Sequence, residues 1–402
     1  MITNLHISNF RSLSKVDMDL SKFTLLTGAN NSGKSSFIYA LLSLKNIVTN
    51  PNQSPDNFFT FPFINLGGFA QTILKKKESA TIELGITFTD DNITNGPITF
   101  LASIGKQESF FRLHTVSFSE IKLPVSFPYS GSTVITVMVN YSDGGESTVN
   151  WYGINGTVSV SKASTMANDA LPLLQRELIA HLNAMASIDG VSIRRGFTKP
   201  FFGAVPLQTQ FWTEDEIATL LSTDRDLEGK VAHYLERIVD RTFSVRVTPG
   251  TSNFYLQTRD RETAFVADLV NEGLGTNQLV SLLAKILYKN TRLVCIDEPE
   301  IHLHPTIINR LVDTLIDIAD VEDKQFVVST HSEHFVNALL RNVVSQRLQP
   351  DDLKAYYLTK NRKGETQIEA QPVNEKGQLK GGLKNFYEAE LENMKDLFNL
   401  TE

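Results

Sequence analysis

The sequence predicts an α/β fold, a mixed sheet covered by helices and split by an inserted lobe that is β-rich and helical. Three observations point there. From residue 264 onward, apolar strands and amphipathic helices alternate closely. Near the N-terminus, "FTLLTG" runs into a glycine-containing turn and a helix. Between these two regions lies a long stretch of strand-like alternation and two further helices.

Taken in order, the opening "NLHISNFRSLSKVDMDLSKFTLLTG" reads as short strands with alternating polarity. The helix "KSSFIYALLSLKNIV" follows, with Phe37, Ala40, Leu41 and Leu44 on one stripe. Residues 51–72 are rich in proline and phenylalanine, which interrupts regular structure while keeping apolar surface high. Alternation returns in "ATIELGITF" and recurs, as in "STVITVMVNY". The helices "ALPLLQRELIAHLNAM" and "LEGKVAHYLERIV" are amphipathic, but neither sustains heptads long enough for a coiled-coil arm. Then come helix "NQLVSLLAKILY", strand "RLVCID", helix "PTIINRLVDTLIDIAD", strand "QFVVST" and helix "EHFVNALL", the pattern of a largely parallel, helix-covered sheet. A tail reads as a hairpin turning at Lys363-Gly364, followed by a short acidic helix. The expected segments are 1–105, 106–254 (inserted), 255–345 and 346–402.

Composition narrows the class. Of 402 residues, 41% are hydrophobic and 21% charged, as in an ordinary globular protein, and the formal charge of −7 gives no global basic field of the kind that advertises nucleic acid. The single cysteine, Cys295, sits in an apolar run and is expected to be a buried core residue. Without a signal-peptide h-region or a long uninterrupted apolar stretch, the chain is expected to be cytoplasmic, with no membrane partner.

"GANNSGKSS" at 28–36 matches G-x-x-x-x-G-K-[ST] between a strand and a helix, the context that motif requires. Gly28 and Gly33 let consecutive backbone N–H groups, with those of Asn30, Asn31 and Ser32, face phosphate oxygens, while the helix N-terminus at Ser36 adds its dipole. Lys34 is suited to the β- and γ-phosphates and the Ser35 hydroxyl to Mg²⁺. Such a loop needs an acidic strand end, and "RLVCIDE" supplies one: Asp297 for the metal, Glu298 to polarise water. The expected cofactors are therefore ATP and Mg²⁺. "CIDEPEIHLHP" first suggests a His/Asp/Glu metal cluster, but its carboxylates are claimed by the nucleotide, so His302 and His304 need another explanation.

A glycine turn, "GLGTNQ", opens a helix before Asp297, and His331 closes the strand "QFVVSTH" after it; more than half the chain separates Lys34 from Asp297. With "NFRSL", "INLGGFAQTIL" and "STHSEHFVNAL", these motifs resemble the ABC-type ATPases of the RecF, SMC and OLD (overcoming lysogenization defect) group, and the stand-alone bacterial "AAA family" relatives of OLD in particular. The resemblance covers the two ends of the chain well and the middle poorly. It implies an ABC-type P-loop head in which two copies sandwich ATP. Lys34, Glu298 and His331 would be catalytic, and Ser35 and Asp297 would hold the metal, with Gln71 as a further candidate. Arg11 would approach the nucleotide, and the partner copy would be contacted through Gly275, Thr276 and Asn277, which stand where the family usually offers a serine and paired glycines. His302 and His304 become packing and interface residues. OLD nucleases continue into a Toprim metal nuclease, whose D-x-D cluster is not found after His331, so no nuclease is expected in this chain. The implied role is a switch for a separate effector, such as a nuclease or toxin, in antiphage defence. The alternative is a RecF-like DNA-binding ATPase, with "SIRRGFTK" a candidate phosphate-backbone contact.

Overall fold

In the computed structural model, the fully buried strand Phe23–Gly28 lies between two parallel neighbours, Gln325–Ser329 on one side and Leu353–Lys360 on the other. Leu293–Asp297 pairs in parallel with Gln325–Ser329 and is likewise buried along its length. Runs such as "LVCID" and "QFVVS" carry no polar face because helices cover both sides of such a sheet. Ile188–Val191 and Thr366–Ala370 complete its six strands. The structure describes residues 1–89, 96–116, 118–129, 135–141, 146–151, 158–160, 170–207, 212–251 and 253–382. The expected closing acidic helix lies outside them.

The chain divides into two compact units. The unit built on the six-stranded sheet comprises residues 21–35, 189–361 and 367–402. Its core draws on Phe23 and Leu25 of the central strand, on Leu282, Leu283 and Ile286 of helix Leu274–Leu287, on Leu311 and Leu315 of helix Pro305–Val321, and on Phe335 and Leu339 of helix Glu333–Val344. Local signals start these helices. His304 caps Pro305–Val321, accepting from the Thr306 N–H with Pro305 in the first turn, and Ser332 caps the next helix at the Phe335 N–H. A capping box between Thr213 and Glu216 opens helix Glu214–Thr223, and Asp224 caps helix Arg225–Val239. A hairpin of Arg241–Val247 with Asn253–Asp260 belongs to the same unit.

The other unit comprises residues 1–20, 36–188 and 362–366. Its nine-stranded sheet runs from Val158–Val160 at one edge, through consecutive neighbours back to Ile82–Phe88, and then to Ile2–Phe10 and Leu13–Asp19. Strands Ile98–Ile104 and Ser109–His114 pair antiparallel, so the expected boundary at 105/106 falls in a hairpin turn rather than between lobes. That hydrogen-bonded register is the physical reason the division differs from the expected segments. At the other end of the expected insert, residues 189–254 belong with the six-stranded sheet. Phe58, Phe59 and Phe61 are buried; Phe59 packs on Phe10 and Phe58 on Phe127, which makes them core.

Candidate active site

The loop after Phe23–Gly28 reverses through three left-handed positions, Gly28 (φ 135°), Asn31 (φ 65°) and Gly33 (φ 111°). Gly28 has no alternative, because a Cβ there would stand 2.2 Å from the Leu358 carbonyl oxygen of the adjacent strand. Asn30 and Asn31 are exposed at the loop tip, and Lys360 from that strand donates to Asn31 Oδ1 at 3.1 Å. Ser32 and Ser36 are buried. Helix Lys34–Thr49 begins here and aims its first N–H groups at the loop. The Lys34 ammonium donates to the Gly28 and Ala29 carbonyls at 2.8 and 3.0 Å. Burial lowers its pKa to about 8 against the attraction of Glu298, Asp297 and Glu300.

Ser35 Oγ donates to both Asp297 oxygens, at 3.3 and 3.1 Å, joining positions 262 apart in sequence. Ser329 Oγ also donates to Asp297 Oδ1, fixing the carboxylate. A hydroxyl and a carboxylate, both hard oxygen donors, are the pair that suits Mg²⁺ beside a phosphate. Glu298 leaves the strand in a left-handed conformation (φ 48°), its N–H held by the Ser329 carbonyl at 2.9 Å. Its Oε1 lies 3.5 Å from His331 Nε2. Burial first and Asp297 second push the Glu298 carboxyl above its usual range, while burial and then Lys34 hold the His331 imidazole below its own. Glu298 is thus poised as a proton acceptor beside a neutral imidazole.

Two residues extend the site beyond the expected set. Glu300 Oε1 accepts from Thr330 Oγ1 at 2.5 Å and from the His331 N–H at 3.2 Å, and its Oε2 is buried without a hydrogen-bond partner among the described residues. Burial pushes its carboxyl up. Arg195 donates to the carbonyls of Asp297 (3.1 Å), Glu298 (2.9 Å) and Pro299 (3.1 Å). The basic stretch read as a possible phosphate-backbone contact therefore turns this arginine inward, and Lys199 of the same stretch pairs with Asp215. The spacing of "DEPE" signals Glu300, whereas no local pattern marks Arg195.

At the glycine turn, Gly275 packs so closely that a Cβ would lie 2.8 Å from the His302 carbonyl oxygen. Thr276 is partly buried, and Leu274 beside it is 62% exposed. The expectation that Asn277 offers its amide to a second copy is corrected: the side chain is buried, accepting from the Phe197 N–H at 2.7 Å and donating to the Phe197 and Leu269 carbonyls. Exposed His302 meets Gln278 Oε1 at 3.3 Å and His304 is the helix cap, so each has a local task. Among the described residues no group of three or more His, Cys, Asp or Glu side chains could hold a metal ion. Arg11 and Gln71 belong to the other unit: Arg11 stacks on Tyr39, 5.3 Å from the ring centroid, and Gln71 is exposed on helix Gly68–Thr72.

A family model described as "AAA domain, putative AbiEii toxin, Type IV TA system" matches residues 23–337, from the phosphate-loop strand to the helix after His331. The chain belongs to this AAA family. The Old nuclease of Escherichia phage P2 is 25% identical to this AAA-family chain over 369 residues, covering 84% of it and 57% of the nuclease, so the chain spans just over half the length of that relative. Family and relative agree with the OLD-type ATPase resemblance carried by the motifs. Among solved structures, the SMC head domain from Thermotoga maritima overlaps with a TM-score of 0.44 at 13% identity, covering 93% of this chain and 99% of that one. A Smc head domain bound to the C-terminal domain of ScpA, derived from Pyrococcus furiosus, gives 0.47 at 12% identity and 99% coverage of both. Among the described residues no helix is long and apolar enough to cross a membrane.

Proposed function

We propose that this AAA-family ATPase binds and hydrolyses ATP with Mg²⁺, pairs with a second copy around the nucleotide, and serves as a switch for a separate effector in bacterial antiphage defence. The observation that carries the hydrolytic reading is the junction of the phosphate loop with the acidic strand end, Ser35 on Asp297, with Glu298 and His331 alongside. Phosphate oxygens would take the Lys34 ammonium from the Gly28 and Ala29 carbonyls, and the loop N–H groups would hold the β-phosphate. Ser35 Oγ and Asp297 would hold Mg²⁺, which would supply charge neutralisation at the β- and γ-phosphates. Glu298 accepts a proton from water as its oxygen bonds to the γ-phosphorus. The bond from that phosphorus to the bridging oxygen then breaks, leaving ADP and phosphate. His331, neutral and 3.5 Å from Glu298, orients that water.

Pairing is supported by the turn at Gly275 and Thr276, with Leu274 exposed beside it and His302 next to Gly275. The effector and defence roles rest on analogy with the OLD-type family that the motifs resemble, and a fold alone does not assign them. Light scattering tests the pairing. Glu298→Gln protein should double in mass with MgATP and return to its starting mass when nucleotide is removed, whereas Lys34→Ala should not respond. An unchanged mass of Glu298→Gln under saturating MgATP would overturn it.

A further inference from the structure

The residues Arg195, Gly196 and Phe197 occupy no motif, yet they tie together the two ends of the site. Arg195 Nη1 donates to the carbonyls of Ser192 and Asp297, each at 3.1 Å, and Nη2 to those of Glu298 and Pro299 at 2.9 and 3.1 Å. One planar guanidinium thus fixes three consecutive carbonyls of the loop that carries the metal ligand and the proton acceptor. Immediately afterwards, Gly196 (φ 117°) passes so near Asn277 that a Cβ would stand 2.7 Å from its Oδ1. Phe197 then exchanges both backbone groups with the Asn277 amide, at 2.7 and 2.9 Å. Asn277 is in the first turn of the helix opened by the glycine turn.

The geometry points to Arg195 as a positioning residue for Asp297 and Glu298, and to 195–197 as a strap through which the glycine turn sets the catalytic loop. The inference rests on the hydrolytic reading above and extends it to how the turn is coupled to chemistry. Glu298 has a left-handed backbone, a conformation that an ordinary side chain holds only when its surroundings impose it. Three carbonyl bonds from a rigid fork supply that constraint. A lysine, with one rotatable ammonium, can satisfy only part of it. The carboxylates of Glu300, Asp297 and Glu298 attract the guanidinium, so it stays charged although burial lowers its pKa to about 10. Displacement of Asn277, by anything docking on the turn, would be transmitted through two residues to the carbonyl of Glu298.

Full-length wild type, Arg195→Met, Arg195→Lys and Asn277→Ala proteins would be compared for phosphate release, for affinity towards a fluorescent ATP analogue with Mg²⁺, and for amide hydrogen exchange. Arg195→Met should lose about 100-fold in kcat, the scale of a misplaced catalytic group. Its nucleotide affinity should stay within about threefold, separating turnover from binding. Arg195→Lys should recover part of the loss. Asn277→Ala should lower kcat in the same sense, and exchange at 297–301 should rise in both Arg195→Met and Asn277→Ala while strands 23–28 and 325–329 stay protected. The strap is overturned if Arg195→Met keeps kcat within about threefold of wild type, or if its affinity falls in step with its turnover. Loosening spread across those strands would equally overturn it, since that is general destabilisation. Should wild type itself release no phosphate, the hydrolytic reading fails, and exchange at 297–301 decides the strap alone: unchanged exchange rejects it, localised loosening upholds it.

Discussion

Glu300 shows how a side chain beyond the expected catalytic and metal-binding set shapes the site. It receives Thr330 Oγ1 and the His331 N–H on one oxygen and leaves the other buried. A glutamine carbonyl can accept both donors without burying a carboxylate, so Glu300→Gln should unfold in urea at or above the wild-type midpoint. Glu300→Ala strands two donors and should cost about 1–3 kcal/mol in the same titration. The pH profile of kcat is a second check on this scale. Glu298 must be ionised to accept a proton, and its carboxyl lies above the usual range because of burial and Asp297; His331 lies below its own because of burial and Lys34. Glu298 loses its proton-accepting form, and His331 its neutral form, as the pH falls, so kcat should fall on the acid side. The fall, about tenfold per pH unit, should begin above the ordinary carboxylate range. A kcat that does not fall as the pH is lowered from neutral through the ordinary carboxylate range would contradict the assignment. The sequence already shows Lys34, Ser35, Asp297, Glu298 and His331, because a phosphate loop, an acidic strand end and a strand-end histidine each carry a local pattern. Arg195 carries none: it acts on backbone carbonyls more than 100 residues away, as its bond to Glu298 across 103 positions shows. Nor does the polarity of Asn277 announce that its amide is buried.

Helix and strand identities in the six-stranded sheet follow from burial on two faces, which leaves continuous apolar runs in the strands and apolar stripes in the helices. Helix 305–321 and strand 293–297 were legible for that reason. Helix 214–223 was not: it is short, and its apolar positions are few beside the acidic first turn, although its capping box was available to be read. The hairpin 241–260 is likewise quiet in sequence, since charged residues such as Arg241, Arg246, Arg259 and Asp260 fall within its strands. Contact between elements makes its own prediction. Gly275 on helix 274–287 lies under the His302 carbonyl, so Gly275→Ala must push the loop after Glu298 outward. It should destabilise the chain by about 1–3 kcal/mol, as overpacking does, and lower turnover with it. A variant with wild-type melting temperature and kcat would show that this close approach is not needed.

Over the whole molecule, two features of the chain act together. The candidate-site residues 28–35, 195, 297–300 and 329–331 all belong to one unit, although the other unit's residues 36–188 intervene in sequence. This long separation was legible as an insertion, but its limits were not. Alternating polarity recurs on both sides of residue 105, because successive strands of one antiparallel sheet look alike whichever lobe they serve. The central claim, that Lys34 and Glu298 act on the same nucleotide, is tested most directly by steady-state phosphate release with saturating MgATP. Wild type should turn over, and Lys34→Ala should not. Glu298→Gln should retain ATP while releasing phosphate at least about 100-fold more slowly, as removal of a general base requires. Turnover by Glu298→Gln at the wild-type rate would contradict the account.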